Sequence, residues 1–166
     1  MIKDRIAGDK SAAQLEREAV LNAMHSCSLF QDWSRQIIAQ LAPYFRLDCF
    51  AAGQIVVEEG APGDFIGVVV EGKLIVRKFN SEDAQIELAK LFPGRLFGEM
   101  ALLDGERRSA TVAAIGAASV LVFTAKSLEK LAREEPPVAL ELVKKIAINL
   151  SKRLRSADGR LVDYLT

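Results

Sequence analysis

Hydrophobic and polar positions divide the chain into a helical beginning, a strand-rich middle and a helical end. In the middle, short apolar runs alternate with turns that contain glycine, a spacing typical of antiparallel strands. The pattern predicts eight short strands, which cover residues 46–50, 54–58, 65–70, 73–79, 85–91, 96–97, 108–115 and 119–124. Many short strands with regular turns favour an antiparallel sandwich or jelly roll over residues 46–125.

Helical periodicity precedes the strands. Residues 1–10 are polar, and Ser11 stands where a helix cap is expected before an apolar-periodic run. A second helical run follows and is expected to end before Pro43, because the residue before a proline avoids helical backbone angles. We therefore expect a helical lead-in over residues 1–45.

Two further helices are predicted after the strands, within residues 126–166. Ser127 can cap a short helix at 128–134, and Pro136 can open a longer one because proline is tolerated in the first helical turn. The longer helix carries a heptad seam and a second stripe about a quarter-turn or more away. Either both stripes pack on one core, or the second covers the mouth of the strand domain while the seam pairs with a second copy of the helix. The seam consists of Leu140, Val143, Ala147, Leu150, Leu154, Ala157 and Leu161, and the second stripe of Leu142, Ile146, Asn149 and Arg153.

Composition is that of an ordinary globular chain. With 166 residues, half of them hydrophobic, a single domain spanning residues 1–166 is expected. The 22 Lys and Arg residues balance 22 Asp and Glu residues, which argues against direct nucleic-acid binding, because such binders usually carry a basic footprint. The start of the chain lacks the apolar region of a signal peptide, and its apolar runs are too short to span a membrane. We therefore expect a cytoplasmic protein with no membrane segment.

The single histidine, His25, argues against several enzyme classes. Metal-dependent cupins, which also fold as jelly rolls, need two or three histidine ligands. Catalytic triads of the Ser/His/Asp or Cys/His type would have to use His25, which lies outside the predicted strands. Glu58 and Glu59 are adjacent, so on a strand they point to opposite faces and do not form an acid/base pair. We expect no enzyme activity, no metal and no cofactor.

The most informative stretch is residues 97–112, with the sequence FGEMALLDGERRSATV. Gly98 lets the backbone approach a ligand closely, and the free N–H groups of the short helix that follows can bind an anion. Arg108 offers a charged, bidentate fork to a phosphate, while Ser109 adds a hydroxyl and Ala110 a backbone N–H. These groups together predict a phosphate-binding site.

Glu99 is the unexpected member of this stretch, because a carboxylate is repelled by a phosphate. It can accept hydrogen bonds from sugar hydroxyls while Arg108 offsets its charge. A plain turn between two strands would also explain a Glu at a helix start and the Asp104–Gly105 pair. It would not explain why a glycine, a carboxylate, an arginine and a hydroxyl stand within twelve residues.

Residues 97–102, FGEMAL, and 108–112, RSATV, resemble the phosphate-binding cassette of the cyclic nucleotide-binding domain family without a gap. This family includes catabolite activator proteins, protein kinase A regulatory subunits and cyclic-nucleotide-gated channels. The helical lead-in and the glycine turns EEGAPGD and VEGKL also resemble the family, so the similarity spans about residues 29–155. The resemblance implies a mainly β fold, an antiparallel, jelly-roll-like β-roll with N-terminal helices and a long C-terminal helix.

The resemblance also implies a role for each residue of the site. Arg108 would bind the cyclic phosphate with Ser109 and the N–H groups of Ala101 and Ala110, and Glu99 with Gly98 would hold the ribose 2′-hydroxyl. Ser109 favours cAMP over cGMP, because relatives selective for cGMP tend to carry Thr there. The implied ligand-binding residues are Gly98, Glu99, Met100, Ala101, Arg108, Ser109 and Ala110. Val76, Leu88 and Phe97 are either pocket wall or ordinary core, and Asn149 and Arg153 are candidates for a lid over the base.

Two functions remain open after the enzyme class is disfavoured. The first is a sensor module that binds cAMP or cGMP, moves its C-terminal helix, acts on an effector protein and can form a homodimer through that helix. The second is the sensor half of a catabolite-activator-type transcription factor. Its helix-turn-helix would need several tens of residues beyond Leu154, so this function requires a longer chain than 166 residues.

Overall fold

Two four-stranded antiparallel sheets form the body of the molecule, which is known here from a computed structural model that describes residues 11–165, with side chains described as far as residue 159. The strands are ordered β1-β8-β3-β6 in one sheet and β2-β7-β4-β5 in the other. The predicted β-roll with flanking helices is confirmed. The strands are β1 Phe45–Phe50, β2 Ile55–Val57, β3 Phe65–Glu71, β4 Leu74–Phe79, β5 Gln85–Leu91, β6 Leu96–Phe97, β7 Thr111–Ala114 and β8 Ala118–Thr124.

The seventh strand is shorter than its prediction of 108–115. It begins only at Thr111, because the preceding residues are bonded to the loop of residues 58–64 instead of to a neighbouring strand. The N–H of Arg108 donates to Ala61 O at 2.9 Å, and Gly60 N–H donates to Arg108 O at 2.8 Å. Arg108 therefore lies in an irregular segment at the mouth of the roll.

Within residues 11–165, five helices accompany the strands, and two of their predicted starts are confirmed. Ser11 caps the first through a capping box with Gln14, and Pro136 opens the last. The fourth helix begins earlier than predicted: its cap is Thr124, whose hydroxyl accepts from Ser127 N–H at 3.1 Å, so Ser127 is not the cap. The helices are α1 Ala12–Ser26, α2 Arg35–Leu41, α3 Glu99–Asp104, α4 Ala125–Glu134 and α5 Pro136–Leu165, and short 3-10 turns lie at Ser28–Phe30 and Ala42–Tyr44.

Two hydrophobic cores divide the domain. One fills the interior of the roll between the sheets, and the other joins the flanking helices to the outside of the β1-β8-β3-β6 sheet. Leu142 and Ile146 of the second stripe are each 1% exposed in this outer core. The seam residues Leu140 and Leu154 are 55% and 65% exposed, so the interpretation that both stripes pack on one core is wrong for them.

The first turns of α5 pack on the outer core, whereas its last described turns are exposed. Besides the burial of Leu142 and Ile146, Lys145 forms an ion pair with Asp32 at 3.0 Å. Residues 151–159 of α5 are all exposed. Within the part of the chain that the structure describes, no helix combines the length and apolar character needed to cross a membrane.

Candidate functional site

The predicted cassette forms a cradle between β6 and β7. Gly98 opens α3 with φ 75°, a backbone angle that favours glycine. A Cβ added at Gly98 would lie 2.4 Å from Arg108 Nη1 and 3.1 Å from the carbonyl oxygen of Phe65. Gly98 is therefore required both for its backbone angle and for the space that Arg108 occupies.

Arg108 is buried at the bottom of this cradle, with 4% of its surface exposed. Its Nη1 donates to Gly98 O at 3.0 Å, and its Cζ lies 4.5 Å from the centre of the Phe65 ring. Burial lowers the pKa of Arg108, against the opposing effect of the charges on Asp64 and Glu99. The guanidinium nevertheless stays charged, because an arginine is not deprotonated in a protein.

The second terminal nitrogen of this guanidinium, Arg108 Nη2, is buried and has no hydrogen-bond partner among the described residues. A buried donor on a charged group is costly to leave unpaired, so native structures rarely contain one without a reason. Arg108 also lines the cavity of the cassette. The arrangement fits an anion with at least one oxygen acceptor, such as a phosphate.

Glu99 is the second buried charge of the site, with 2% of its surface exposed. Its Oε1 accepts a hydrogen bond from Nη1 of Arg153, which reaches the cassette from the exposed half of α5. The carboxylate is therefore paired with the C-terminal helix and not with Arg108, which sits nearby but bonds to the Gly98 carbonyl.

Arg107, the neighbour of Arg108, has a different partner. Its Nη1 donates to Gly60 O at 2.6 Å, and residue 107 forms a bridge with Pro62. Arg107 therefore ties the loop of residues 58–64 to the cassette, and it does not line the cavity. Arg107 thus has a structural role in the loop, whereas Arg108 lines the cavity.

The cavity has a volume of about 70 Å³ and collects most of the predicted residues. Its lining also includes three apolar residues that sequence reasoning missed. No motif singles them out, because their selection depends on which strand faces meet inside the roll. The predicted residues that line the cavity are Val76, Phe97, Gly98, Glu99, Met100, Ala101, Arg108, Ser109, Ala110 and Arg153, and the missed ones are Val57, Leu91 and Val112.

Leu88 and Asn149, two predicted members, lie outside this lining. Leu88 is 53% exposed, like the rest of the edge strand β5 up to Lys90, and it lies at a bulge where the pairing with β4 shifts. Leu91, the last residue of the strand, lines the cavity instead. Asn149 is half-buried one turn before Arg153, about 6 Å earlier along the helix axis. The helix thus meets the cavity at Arg153.

Comparisons with known proteins agree on one family. Residues 47–135 match the family described as "Cyclic nucleotide-binding domain". A cyclic nucleotide-gated potassium channel of Mesorhizobium japonicum is 34% identical over 120 residues, which are 72% of this chain and 32% of the channel. The cyclic AMP receptor protein of Thermus thermophilus is 31% identical over 138 residues, which are 83% of this chain and 62% of the receptor.

A solved structure shows the same fold. The crystal structure of a cyclic nucleotide-binding domain from Methylobacillus flagellatus superimposes with a TM-score of 0.78, covering 89% of this chain and 83% of that one, at 24% identity. The chain spans about a third of the length of the channel relative and 62% of the receptor relative. The match therefore concerns one domain of these longer proteins.

Proposed function

This chain belongs to the cyclic nucleotide-binding domain family, and we propose that it binds cAMP in preference to cGMP and acts as a regulatory module through its C-terminal helix. The observation that carries the proposal is the buried guanidinium of Arg108, whose Nη2 has no partner among the described residues. A cyclic phosphate supplies the missing acceptor and the missing negative charge together. Such charge-assisted hydrogen bonds are roughly twice as strong as neutral ones.

The rest of the phosphate site surrounds Arg108. Ser109 and Ala110 follow it in the chain and line the same cavity, which supports assigning the Ser109 hydroxyl and the Ala110 N–H to the phosphate. Ala101 lies in the first turn of α3, where a backbone N–H has no intrahelical acceptor. In our proposal these groups share the phosphate oxygens, and Arg108 contributes the charge.

Glu99 gives the site its connection to α5. We assign its carboxylate to the ribose 2′-hydroxyl, and in the structure it accepts a hydrogen bond from Arg153. The ribose 2′-hydroxyl and Arg153 would bind the same carboxylate, so in our proposal a bound nucleotide displaces Arg153 from Glu99. Ligand binding then alters the contact between the cassette and the C-terminal helix.

The packing of α5 allows its C-terminal half to move while its first turns stay in place. Its first turns are held by buried Leu142 and Ile146, whereas residues 151–159 are exposed. The free energy available for shifting the helix equals the difference in ligand affinity between its two positions. If only the C-terminal half of α5 moves, the outer core stays intact. None of the free energy from ligand binding is then needed to offset lost packing.

The preference for cAMP is supported by Ser109 and by one relative's name. Ser109 lines the cavity, where a Thr would add a methyl group. The relative from Thermus thermophilus is a cyclic AMP receptor protein. The same similarity favours a second candidate function, the sensor half of a catabolite-activator-type transcription factor.

The proposed output is association with a protein partner in the cytoplasm. The exposed seam residues Leu140 and Leu154 give α5 a surface for a homodimer or for an effector. We propose the homodimer as the first of these, because the heptad spacing suits pairing with a second helix of the same kind.

Calorimetric titration of the purified protein with cAMP, cGMP and a cyclic dinucleotide tests the proposed ligand. We expect saturable one-to-one binding of cAMP, weaker binding of cGMP and none of the dinucleotide. Tighter binding of cGMP would overturn the preference. Absence of binding by all cyclic mononucleotides would overturn the proposal itself.

A further inference from the structure

Phe65 is a neighbour of Arg108 that the family pattern does not explain. It begins β3, where it pairs with Thr124 of β8, and it packs against the inner core of the roll. The centre of its ring lies 4.5 Å from Arg108 Cζ, well within the range of a cation–π interaction. The ring therefore covers the guanidinium from a rigid part of the sheet.

The residues just before Phe65 also pack closely against Arg108. A Cβ added at Gly63 would lie 2.2 Å from the Cβ of Ala101, 3.1 Å from Arg108 Nε and 3.2 Å from Arg108 Cδ. The chain that leads into β3 thus passes directly against the stem of Arg108. Gly63 leaves room for the stem, and Phe65 covers the charged end.

An aromatic ring suits this position because it holds the guanidinium without neutralising it. A carboxylate in its place would pair with Arg108 and compete with a ligand phosphate. The ring instead attracts the cation through its negatively charged face and leaves the edge of the guanidinium free. Arg108 Nη1 is fixed by the Gly98 carbonyl, and Nη2 is left with no partner among the described residues.

We propose that Phe65 is a positioning residue for the phosphate ligand, and that its ring preorganises Arg108 before the ligand arrives. This inference rests on the proposed function, because it concerns the same site. Without the ring, the Arg108 side chain can adopt other orientations, and fixing one of them when the ligand binds costs conformational entropy. The phosphate complex also loses a cation–π contact that is shielded from water. We expect a loss of affinity of about five- to tenfold.

The test compares Phe65→Leu, which removes the aromatic face, with Phe65→Tyr, which keeps it. Calorimetric titration with cAMP should give about five- to tenfold weaker binding for Phe65→Leu and binding within about twofold of wild type for Phe65→Tyr. Adenosine, which lacks the phosphate, serves as the second probe, with binding followed by NMR. Both variants should bind adenosine as the wild type does, because Arg108 makes no phosphate contact there.

Several results would overturn the positioning role. One is an unchanged cAMP affinity in Phe65→Leu, and another is an equal loss for cAMP and adenosine, which would indicate a general structural defect. If Phe65→Leu does not fold, Phe65→Met is the replacement, since it fills a similar volume without a ring. The wild-type titration separates the two proposals: a wild type that fails to bind cAMP refutes the proposed function, whereas a binding wild type with an unaffected variant refutes only the role of Phe65.

Discussion

Replacing Arg108 with Met should remove ligand affinity without weakening the fold. Arg108 is 4% exposed, and among the described residues its guanidinium donates from Nη1 to Gly98 O and lies against the Phe65 ring. These contacts are worth roughly 1.5–3 and 0.5–2 kcal/mol, whereas burying an ion costs several kcal/mol. Met fills similar space without that cost. We expect the free energy of unfolding to change by less than about 1 kcal/mol or to rise.

The same substitution should be severe for binding. It leaves the phosphate charge in a buried site without its partner, which costs about 3–5 kcal/mol, or roughly 10²- to 10⁴-fold in Kd. Urea unfolding without ligand and titration with cAMP measure the two effects on one preparation. Arg107→Met is the matched control, because Arg107 bonds to Gly60 O outside the cavity. The affinity of this variant for cAMP should stay near the wild-type value. Equal losses for both arginines, or a destabilisation above about 2 kcal/mol with affinity retained, would refute the reasoning.

Three further predictions concern the cradle, the base and the seam. Gly98→Ala should abolish measurable cAMP binding and lower the melting temperature, because its Cβ would meet Arg108 Nη1 at 2.4 Å at a φ of 75°; normal binding in a titration would contradict this. Ser109→Thr should raise the affinity for cGMP relative to cAMP, and an unchanged ratio in competition binding would remove Ser109 from the selectivity argument. The double variant Leu140→Asp/Leu154→Asp should sediment as a monomer and still bind cAMP, because the two exposed leucines lose roughly 1.5–3 kcal/mol each of burial against a partner helix. A wild type that is monomeric at micromolar concentration with and without cAMP would show that the seam does not pair.

Much of the fold and of the cassette could be predicted because their signals are local. The glycines of the turns mark where each strand ends, and residues 97–112 bring most site groups together through one short helix. Gly98 and Arg108 were both predicted members of the site, and the structure brings them together through a hydrogen bond. Local chemistry of this kind needs no knowledge of distant contacts.

What the sequence missed depends on tertiary packing. Leu88 was predicted as pocket wall or core, whereas Leu91 lines the cavity; the pairing of β5 shifts at a bulge, which leaves no clear mark in its seven residues. Phe65 lies 43 positions before Arg108 in the sequence, so no pattern connects its ring to the guanidinium. Arg153 was expected near the base, and its pairing with Glu99 emerges only when α5 is placed against the cassette.

The central claim, that a phosphate on Arg108 changes the position of α5, can be measured as a distance. Cys49 is exposed on β1 and can carry one fluorophore, and Arg155→Cys on the exposed half of α5 can carry the other. Cys27 should stay unlabelled, since burial raises the pKa of its thiol and limits its reactivity.

Energy transfer between these two labels, followed during titration with cAMP, is the most direct test. We predict a saturable change at the same concentrations that saturate binding, absent when Arg108→Met is added. Adding Arg153→Ala should leave cAMP binding in place and reduce the change, because Glu99 then has no contact with α5. Saturated cAMP binding with no change in transfer in the otherwise wild-type protein would contradict the account.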